Sequence, residues 1–234
     1  MAKVVIDPGH GGKDGGATSI NGLKEKDVNL KISHMLAGIL ISYGIDVVFT
    51  RCNDEYVSLD KRVKITNDSN ANYFVSVHCN SSSAKSANGT EVFAYSKQSE
   101  GNILAKNILD SLIKKTGLSS RGIKYDKLKV VSSTKIPACL VEVAFLSNSK
   151  EEKLLRDNKF LLKVSKGIAQ GILKHLNIEW EDGTSKIRIK LHDKYYEVDG
   201  FFKDNTNFIY VRFLEMMGYK LSWENGVVVI KYNV

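Results

Sequence analysis

The sequence contains few cysteines and no long apolar run, and these absences limit what the protein can be. Its three cysteines, Cys52, Cys79 and Cys139, are an odd number without CxxC or Cys/His spacing. Neither a disulfide framework nor a cysteine-based zinc site is therefore expected. The first apolar run, residues 4–6, is far too short for a signal-peptide core or a membrane span. We expect a protein that is made in the cytoplasm without a signal peptide and does not insert into membranes.

Acidic residues are outnumbered by basic ones. The 26 Asp and Glu residues stand against 34 Lys and Arg residues, which gives a formal net charge of +8 and favours a polyanionic partner. No stretch interleaves clustered basic residues with aromatic ones, as a nucleic-acid groove would. The composition therefore predicts an anionic partner other than nucleic acid, and it leaves the oligomeric state open.

Short β-branched runs alternate with longer helical patterns along the first three quarters of the chain. This alternation predicts an α/β fold with an open, mostly parallel sheet flanked by helices. The predicted strands are residues 4–6, 46–49, 73–77 and 138–143. The predicted helices are 27–42 with Asp27 as N-cap, one starting after Ser58, 99–116 ending at Gly117, 149–156 and 160–176.

The composition changes near residue 179, where a short polar stretch ends the helical pattern. We predict a large domain over residues 1–178, a linker over 179–185 and a smaller α+β domain over 186–234. The small domain is predicted to contain a hairpin (187–191 and 195–198), a helix around 211–217 and a second hairpin (219–223 and 227–232). Asn225-Gly226 is a strong turn signal for the second hairpin.

Polar residues stand at or just beyond the ends of the four predicted strands. His10 follows the first strand, Arg51 the second, and His78 and Asn80 the third, while Glu142 lies near the end of the fourth. Open α/β sheets place their sites at the carboxyl edge, so these side chains are expected to converge there.

The two histidines suggest a metal site. A single histidine near a core is more often a packing residue, but two at one sheet edge, beside glycines that admit a ligand, favour a metal. A catalytic zinc needs a third protein ligand and an open position for water. The candidates are Asp14, Glu25 and Asp27. Glu25 is preferred because Asp14 lies in a glycine-rich turn and Asp27 suits a helix N-cap.

Glu142 interrupts the apolar run 138–145, where an unpaired charge would be costly. It is either a functional carboxylate, which we favour, or half of a buried ion pair with a residue such as Arg51. Arg51 could instead bind a substrate carboxylate. Asn80 could bind substrate or orient a ligand, or it could be a strand-end turn residue.

Six segments together resemble one known family, in order and in spacing. They are residues 4–17, 22–27, 48–51, 76–80, 89–93 and 137–148. The family is that of the zinc-dependent N-acetylmuramoyl-L-alanine amidases of the amidase-3 type, found among bacterial autolysins, spore enzymes and phage endolysins. The resemblance covers roughly residues 2–176. Departures are Val143-Ala144-Phe145, where glycine commonly precedes the phenylalanine, and Cys79 between His78 and Asn80.

The resemblance implies a reaction and a role for each matching residue. His10, Glu25 and His78 would bind one zinc ion, and Glu142 would be the catalytic carboxylate. A zinc-bound water would hydrolyse the amide between N-acetylmuramic acid and L-alanine, and Glu142 would carry its proton to the leaving amine. The stretch from Asn80 to Glu142 lacks the long extra helical insertion that blocks the site in some relatives of this family, which predicts an open cleft.

The expected substrate is therefore peptidoglycan, with other anionic wall polymers as further partners, and the protein would act on the wall after release. A phage or prophage endolysin is favoured. A spore or mother-cell autolysin, a non-catalytic wall-binding protein and a zinc peptidase that cuts within the stem are the alternatives. The small domain weakly resembles β-rich domains of clostridial-type wall proteins and is predicted to bind cell wall.

Overall fold

The computed structural model describes residues 2–180, 184–191, 194–203, 206–209, 219–224 and 227–232. By the density of contacts the chain divides into two compact units, Met1–Trp180 and Glu181–Val234.

The first unit is built on a six-stranded sheet whose strand order is β2-β1-β3-β6-β4-β5. Its strands are β1 (Lys3–Pro8), β2 (Asp46–Phe49), β3 (Tyr73–Asn80), β4 (Thr90–Ala94), β5 (Ser120–Tyr125) and β6 (Ala138–Phe145). Every neighbouring pair is parallel except β4 and β6. The predicted open, mostly parallel sheet is thus confirmed, but β4 and β5 were not predicted as strands. β5 lacks a buried apolar face, since its side chains are exposed or half-buried.

Helices flank this sheet, and α6 packs against both α1 and α3. They are α1 (Glu25–Ser42), α2 (Leu59–Asp68), α3 (Glu100–Thr116), α4 (Lys129–Ser132), α5 (Ser149–Arg156) and α6 (Asn158–His175). Ser58 caps α2 through a hydrogen bond from the Lys61 amide, and Gly117 ends α3 in the left-handed conformation, as predicted. Among the described residues, no helix combines the length and the apolar character needed to cross a membrane.

The prediction that Asp27 is the N-cap of α1 is wrong. The helix begins at Glu25 with Lys24 as N-cap, and Asp27 lies in the first turn. The Glu25 amide donates to the Ala17 carbonyl, so the preceding loop satisfies the helix start without a capping side chain. Acidic residues in the first turn still interact favourably with the helix dipole.

The second unit contains two antiparallel arrangements of strands. β7 (Thr184–Leu191), β8 (Lys194–Lys203) and β9 (Thr206–Ile209) form one sheet, and β10 (Tyr219–Glu224) pairs with β11 (Val227–Tyr232). Glu224 lies opposite Val227, as the predicted hairpin requires. β7 begins within the predicted linker, and β9 was not predicted. The predicted helix at 211–217 lies outside the described residues.

Candidate active site

Three side chains with metal-binding atoms meet at the carboxyl edge of β1 and β3. His10 follows β1, His78 lies near the end of β3, and Glu25 is the first residue of α1. One ligating atom from each residue lies within 4.8 Å of the other two. Glu25 Oε1 is 3.2 Å from His10 Nε2 and 2.9 Å from His78 Nδ1. The group predicted from the sequence is thus brought together, and it could hold one metal ion.

The backbone around this group leaves no room for larger residues. A Cβ atom on Gly9 would overlap the His78 imidazole. On Gly16, whose φ is +64°, a Cβ would lie 2.6 Å from both Glu25 Oε2 and His10 Cδ2. His10 itself has a φ of 60°, a conformation that is rare for residues other than glycine and that often occurs at functional sites. The glycines are therefore required by the close approach of the three ligating side chains.

Neighbouring groups fix the orientation of the ligating side chains. His10 Nδ1 lies 2.9 Å from Asp14 Oδ2, which leaves Nε2 facing Glu25. Glu25 Oε2 accepts from the Ala17 amide at 2.9 Å, and Oε1 accepts from the Asn29 side chain at 3.3 Å. A carboxylate behind a ligating histidine is a common device for fixing its tautomer and ring orientation. Asp14 was one of the three carboxylates considered from the sequence as a metal ligand, and it instead orients His10.

The charges of the group are strongly coupled. The hydrogen bond to Glu25 raises the pKa of His10 to about 9 despite partial burial. Burial would raise the pKa of Glu25, but the hydrogen bonds with His10 and His78 outweigh it and hold that pKa well below its usual range. The site therefore has an ionised carboxylate facing two imidazoles. A metal cation could bind there and displace the protons of the imidazoles.

Glu142 lies beside this group, on the central strand β6. It is opposite His78 of β3 on one side and Glu91 of β4 on the other, so the three side chains share one face of the sheet. Its Oε2 atom is buried and has no hydrogen-bond partner among the described residues. Burial raises the pKa of Glu142 to about 7, and the nearby negative charges of Glu25 and Glu91 act in the same direction. An unpaired carboxylate with a pKa near neutrality can both accept and donate a proton.

Comparison with known proteins agrees with this geometry. The family model described as Amidase_3, N-acetylmuramoyl-L-alanine amidase, matches residues 4–174. The chain belongs to this family. The amidase is 39% identical over 193 residues to the endolysin of Bacillus phage SPP1, a match that covers 79% of this chain and 70% of the phage protein. It is 30% identical over 194 residues to the sporulation-specific N-acetylmuramoyl-L-alanine amidase of Bacillus subtilis strain 168, covering 82% and 74% of the two chains.

Solved structures give the same result for the first unit. The catalytic domain of the amidase CwlV from Bacillus (Paenibacillus) polymyxa var. colistinus superimposes with a TM-score of 0.73 and 40% identity. The match covers 76% of this amidase and all of that domain. The predicted enzyme class is thereby confirmed: the chain is an amide hydrolase that acts on peptidoglycan.

Arg51 of the amidase is buried, with only 2% of its surface exposed. Its guanidinium donates to the backbone carbonyls of Pro8, Gly9, Lys26 and Asn53 at 2.8–3.0 Å. It makes no ion pair with Glu142, so the alternative of a buried Arg51–Glu142 pair does not hold. The geometry favours a structural role for Arg51, which holds the loop after β1, over contact with a substrate.

Asn80 is also engaged within the protein. Its side-chain amide donates to Glu91 Oε1 at 2.7 Å, and its Oδ1 accepts from the Ser81 amide at 2.8 Å. Asn80 therefore orients Glu91, which lies opposite Glu142. Glu91 had no role in the sequence-based reasoning, although a carboxylate in a short β-branched segment is a signal of the kind that drew attention to Glu142.

Sequence reasoning also missed the ion pair that supports the loop carrying His10. Arg62 of α2 donates to Asp7 Oδ1, to the Pro8 carbonyl and to the His10 carbonyl at 2.6–2.7 Å. Burial would raise the pKa of Asp7, but Arg62 and hydrogen bonds from Ser76 and Thr50 keep it below its usual value. The acidic Asp7 within an apolar strand could have indicated a partner, but it could not indicate which one.

Proposed function

We propose that the amidase is a zinc-dependent lytic enzyme of the bacterial cell wall. His10, Glu25 and His78 would hold one zinc ion, and Glu142 would act as general base and general acid. The observation that carries this proposal is the position of three ligating atoms, within 4.8 Å of one another, beside a carboxylate oxygen that has no hydrogen-bond partner in the described part of the chain.

The residues present fit zinc by their chemistry. Two imidazoles and one carboxylate are a known three-ligand set for catalytic zinc, whereas calcium and magnesium prefer oxygen donors alone. Asp14 behind His10 supplies the outer hydrogen bond that such sites commonly contain. When bound, zinc lowers the pKa of a coordinated water to about 7 and polarises a substrate carbonyl.

Glu142 is suited to move the proton of the reaction. As a carboxylate it would accept a proton from the attacking water, and as a carboxylic acid it would donate that proton to the leaving nitrogen of L-alanine. Before a metal ion binds, its pKa of about 7 lets both forms exist near neutral pH. Such general acid–base catalysis contributes roughly 10²- to 10⁴-fold in rate.

Within this chemistry, a phage or prophage endolysin is the favoured biological role. The similarity to the endolysin of Bacillus phage SPP1 supports it. A spore or mother-cell autolysin is the second candidate, supported by the similarity to the sporulation-specific amidase of Bacillus subtilis. Immunodetection of the protein during phage induction and during sporulation would distinguish these roles.

The second unit, Glu181–Val234, is proposed to bind the cell wall. Anionic wall polymers are proposed as further partners of the chain. The net charge of +8 lies in the first unit, because the second unit has 8 acidic and 8 basic residues, so anionic polymers would be attracted to the first unit. Co-sedimentation with purified walls, comparing the whole chain with a chain ending at Trp180, tests this assignment. Equal binding by both would contradict it.

The test of the catalytic proposal is clearing of a wall suspension together with the release of N-terminal alanine. Zinc-loaded protein should produce both, and chelated protein and the Glu142→Gln variant should lose both. Asp110→Asn, which neutralises an exposed carboxylate on α3, is the control and should retain activity. Activity that survives chelation and Glu142→Gln would contradict the mechanism. Clearing that releases new amino termini other than L-alanine would indicate a peptidase. Binding to walls without clearing would indicate a non-catalytic wall-binding protein.

A further inference from the structure

The face of the sheet that carries Glu142 continues onto β4 and β5, where a basic side chain has no assigned role. We infer that Arg121 binds a carboxylate of the peptide stem, on the second residue beyond the scissile amide. This inference rests on the proposed function, because it uses Glu142 as the proton donor to the leaving amine.

The chain of contacts from Glu142 to Arg121 is short. Glu91 lies directly opposite Glu142 in the antiparallel pair β4–β6. Arg121 Nε donates to Glu91 Oε2 at 2.8 Å, and one terminal nitrogen donates to the Asn88 carbonyl at 3.4 Å. Glu91 Oε1 is held in turn by Asn80. Arg121 therefore stands on the same face of the sheet as Glu142, one side chain away from it.

The guanidinium of Arg121 is fixed yet accessible. It lies over the ring of Phe145, with 4.8 Å between Cζ and the ring centroid. An irregularity in the β3–β6 pairing, where His78 faces Glu142 but Asn80 faces Phe145, brings that ring onto the face that carries Glu142. The Arg121 side chain is nevertheless 38% exposed. Its second terminal nitrogen has no hydrogen-bond partner among the described residues, so donors remain for a ligand.

The order of residues along the edge fixes the direction in which a substrate lies. The metal-binding group stands at β1 and β3, Glu142 on β6, and Glu91 and Arg121 beyond it on β4 and β5. A proton donor must lie next to the leaving nitrogen, so the acyl side of the amide faces the histidines. The peptide stem then leads away across β4 toward β5.

The spacing selects the second residue of the stem. Adjacent strands are about 4.8 Å apart, so β5 lies about 10 Å from β6, and an extended peptide advances about 3.4 Å per residue. The long arginine side chain covers part of that separation. A planar guanidinium with free donors is the group best suited to a carboxylate, which it binds through paired hydrogen bonds. Arg51, predicted from the sequence to bind a substrate carboxylate, is buried and has its donors on backbone carbonyls.

The test uses two soluble muramoyl dipeptides that differ only in the second residue, which carries either a free α-carboxylate or a carboxamide. Zinc-loaded wild-type protein should favour the carboxylate in kcat/KM by about tenfold, as expected for a charge-assisted hydrogen-bond pair at a partly exposed site. Arg121→Gln should bring this ratio close to one, mainly through KM. Lys124→Gln removes an exposed charge from the same strand and should leave the ratio unchanged.

A binding measurement separates this inference from the mechanism. The corresponding free L-alanyl dipeptides are titrated calorimetrically into wild-type protein and the Arg121→Gln variant. Tighter binding of the carboxylate form that requires Arg121 supports the inference even if neither muramoyl substrate is cleaved, in which case the proposed function alone fails. The inference is overturned if Arg121→Gln affects both dipeptides equally, or if wild-type protein binds and cleaves both forms alike.

Discussion

Replacing Glu142 by glutamine should strongly lower activity while making the metal-free protein more stable at neutral to alkaline pH. The pKa of Glu142 is raised from 4.5 to about 7, chiefly by burial. In the folded protein the group therefore keeps its proton over a range in which the unfolded chain has lost it. Stability is lost as the pH rises from about 4.5 to about 7, by up to about 3 kcal/mol. Glutamine has nearly the same shape and no charge, so the variant avoids this loss.

The assay is urea denaturation of chelated wild-type and Glu142→Gln protein at pH 5 and pH 8, with kcat/KM measured in parallel on the zinc-loaded forms. The variant should be within about 1 kcal/mol of the wild type in free energy of unfolding at pH 5 and exceed it by up to about 3 kcal/mol at pH 8. Its activity should be lower by roughly 10²- to 10⁴-fold. Glu152→Gln is a matched control for which we expect the opposite change in the free energy of unfolding. Burial would raise the pKa of Glu152, but hydrogen bonds from Arg156, Asn21 and Ser19 lower it. Removing the Glu152 charge should therefore make the protein less stable at pH 8. A Glu142→Gln protein that is less stable than wild type at pH 8 would refute the reasoning.

Three further perturbations probe the metal site and its support. Gly16→Ala should sharply weaken zinc binding in equilibrium dialysis because the new Cβ meets two ligating side chains, whereas Gly15→Ala, with open space around it, should bind zinc normally. Asp14→Ala should lower zinc affinity about 10- to 100-fold by releasing the His10 ring, and unchanged affinity would contradict its orienting role. Asp7→Asn should lower the free energy of unfolding at pH 7, measured by urea denaturation, by about 3–5 kcal/mol, because it leaves the buried charge of Arg62 without its partner. Because the pKa of Asp7 is lowered, this difference should persist at pH 7 and shrink as the pH falls below about 4.

The central part of the fold could be predicted from the sequence because its strands are buried. β1, β3 and β6 contain runs of apolar residues, several of them valine or isoleucine, and their burial leaves a clear signal. β5 could not be predicted in this way, because Ser120–Tyr125 is exposed or half-buried and contains a glycine. It is a strand because β4 offers it a pairing edge, which is a property of the tertiary structure.

The candidate site was predictable to the extent that it depends on where strands end. His10, His78 and Glu142 come together because the pairing of β1, β3 and β6 aligns their positions. The contribution of Arg62 was not predictable, because its contacts join positions 52–55 residues apart through the packing of α2 against the sheet. Whether Arg51 or Arg121 can reach a substrate carboxylate likewise depends on burial, which the sequence around each arginine does not reveal.

The two glutamates of the site acquire opposite properties from opposite surroundings. Glu25 has five donors around its carboxylate, two of them imidazoles, and these stabilise its charge. Glu142 is flanked by His78 but also by Glu91, and its buried oxygen receives no hydrogen bond from the residues that the structure describes, so burial destabilises its charge. A metal ligand must remain ionised, whereas a proton carrier must exchange between its two forms near the working pH. The two environments therefore fit the proposed roles, metal ligand for Glu25 and proton carrier for Glu142, and exchanging the two environments would exchange those roles.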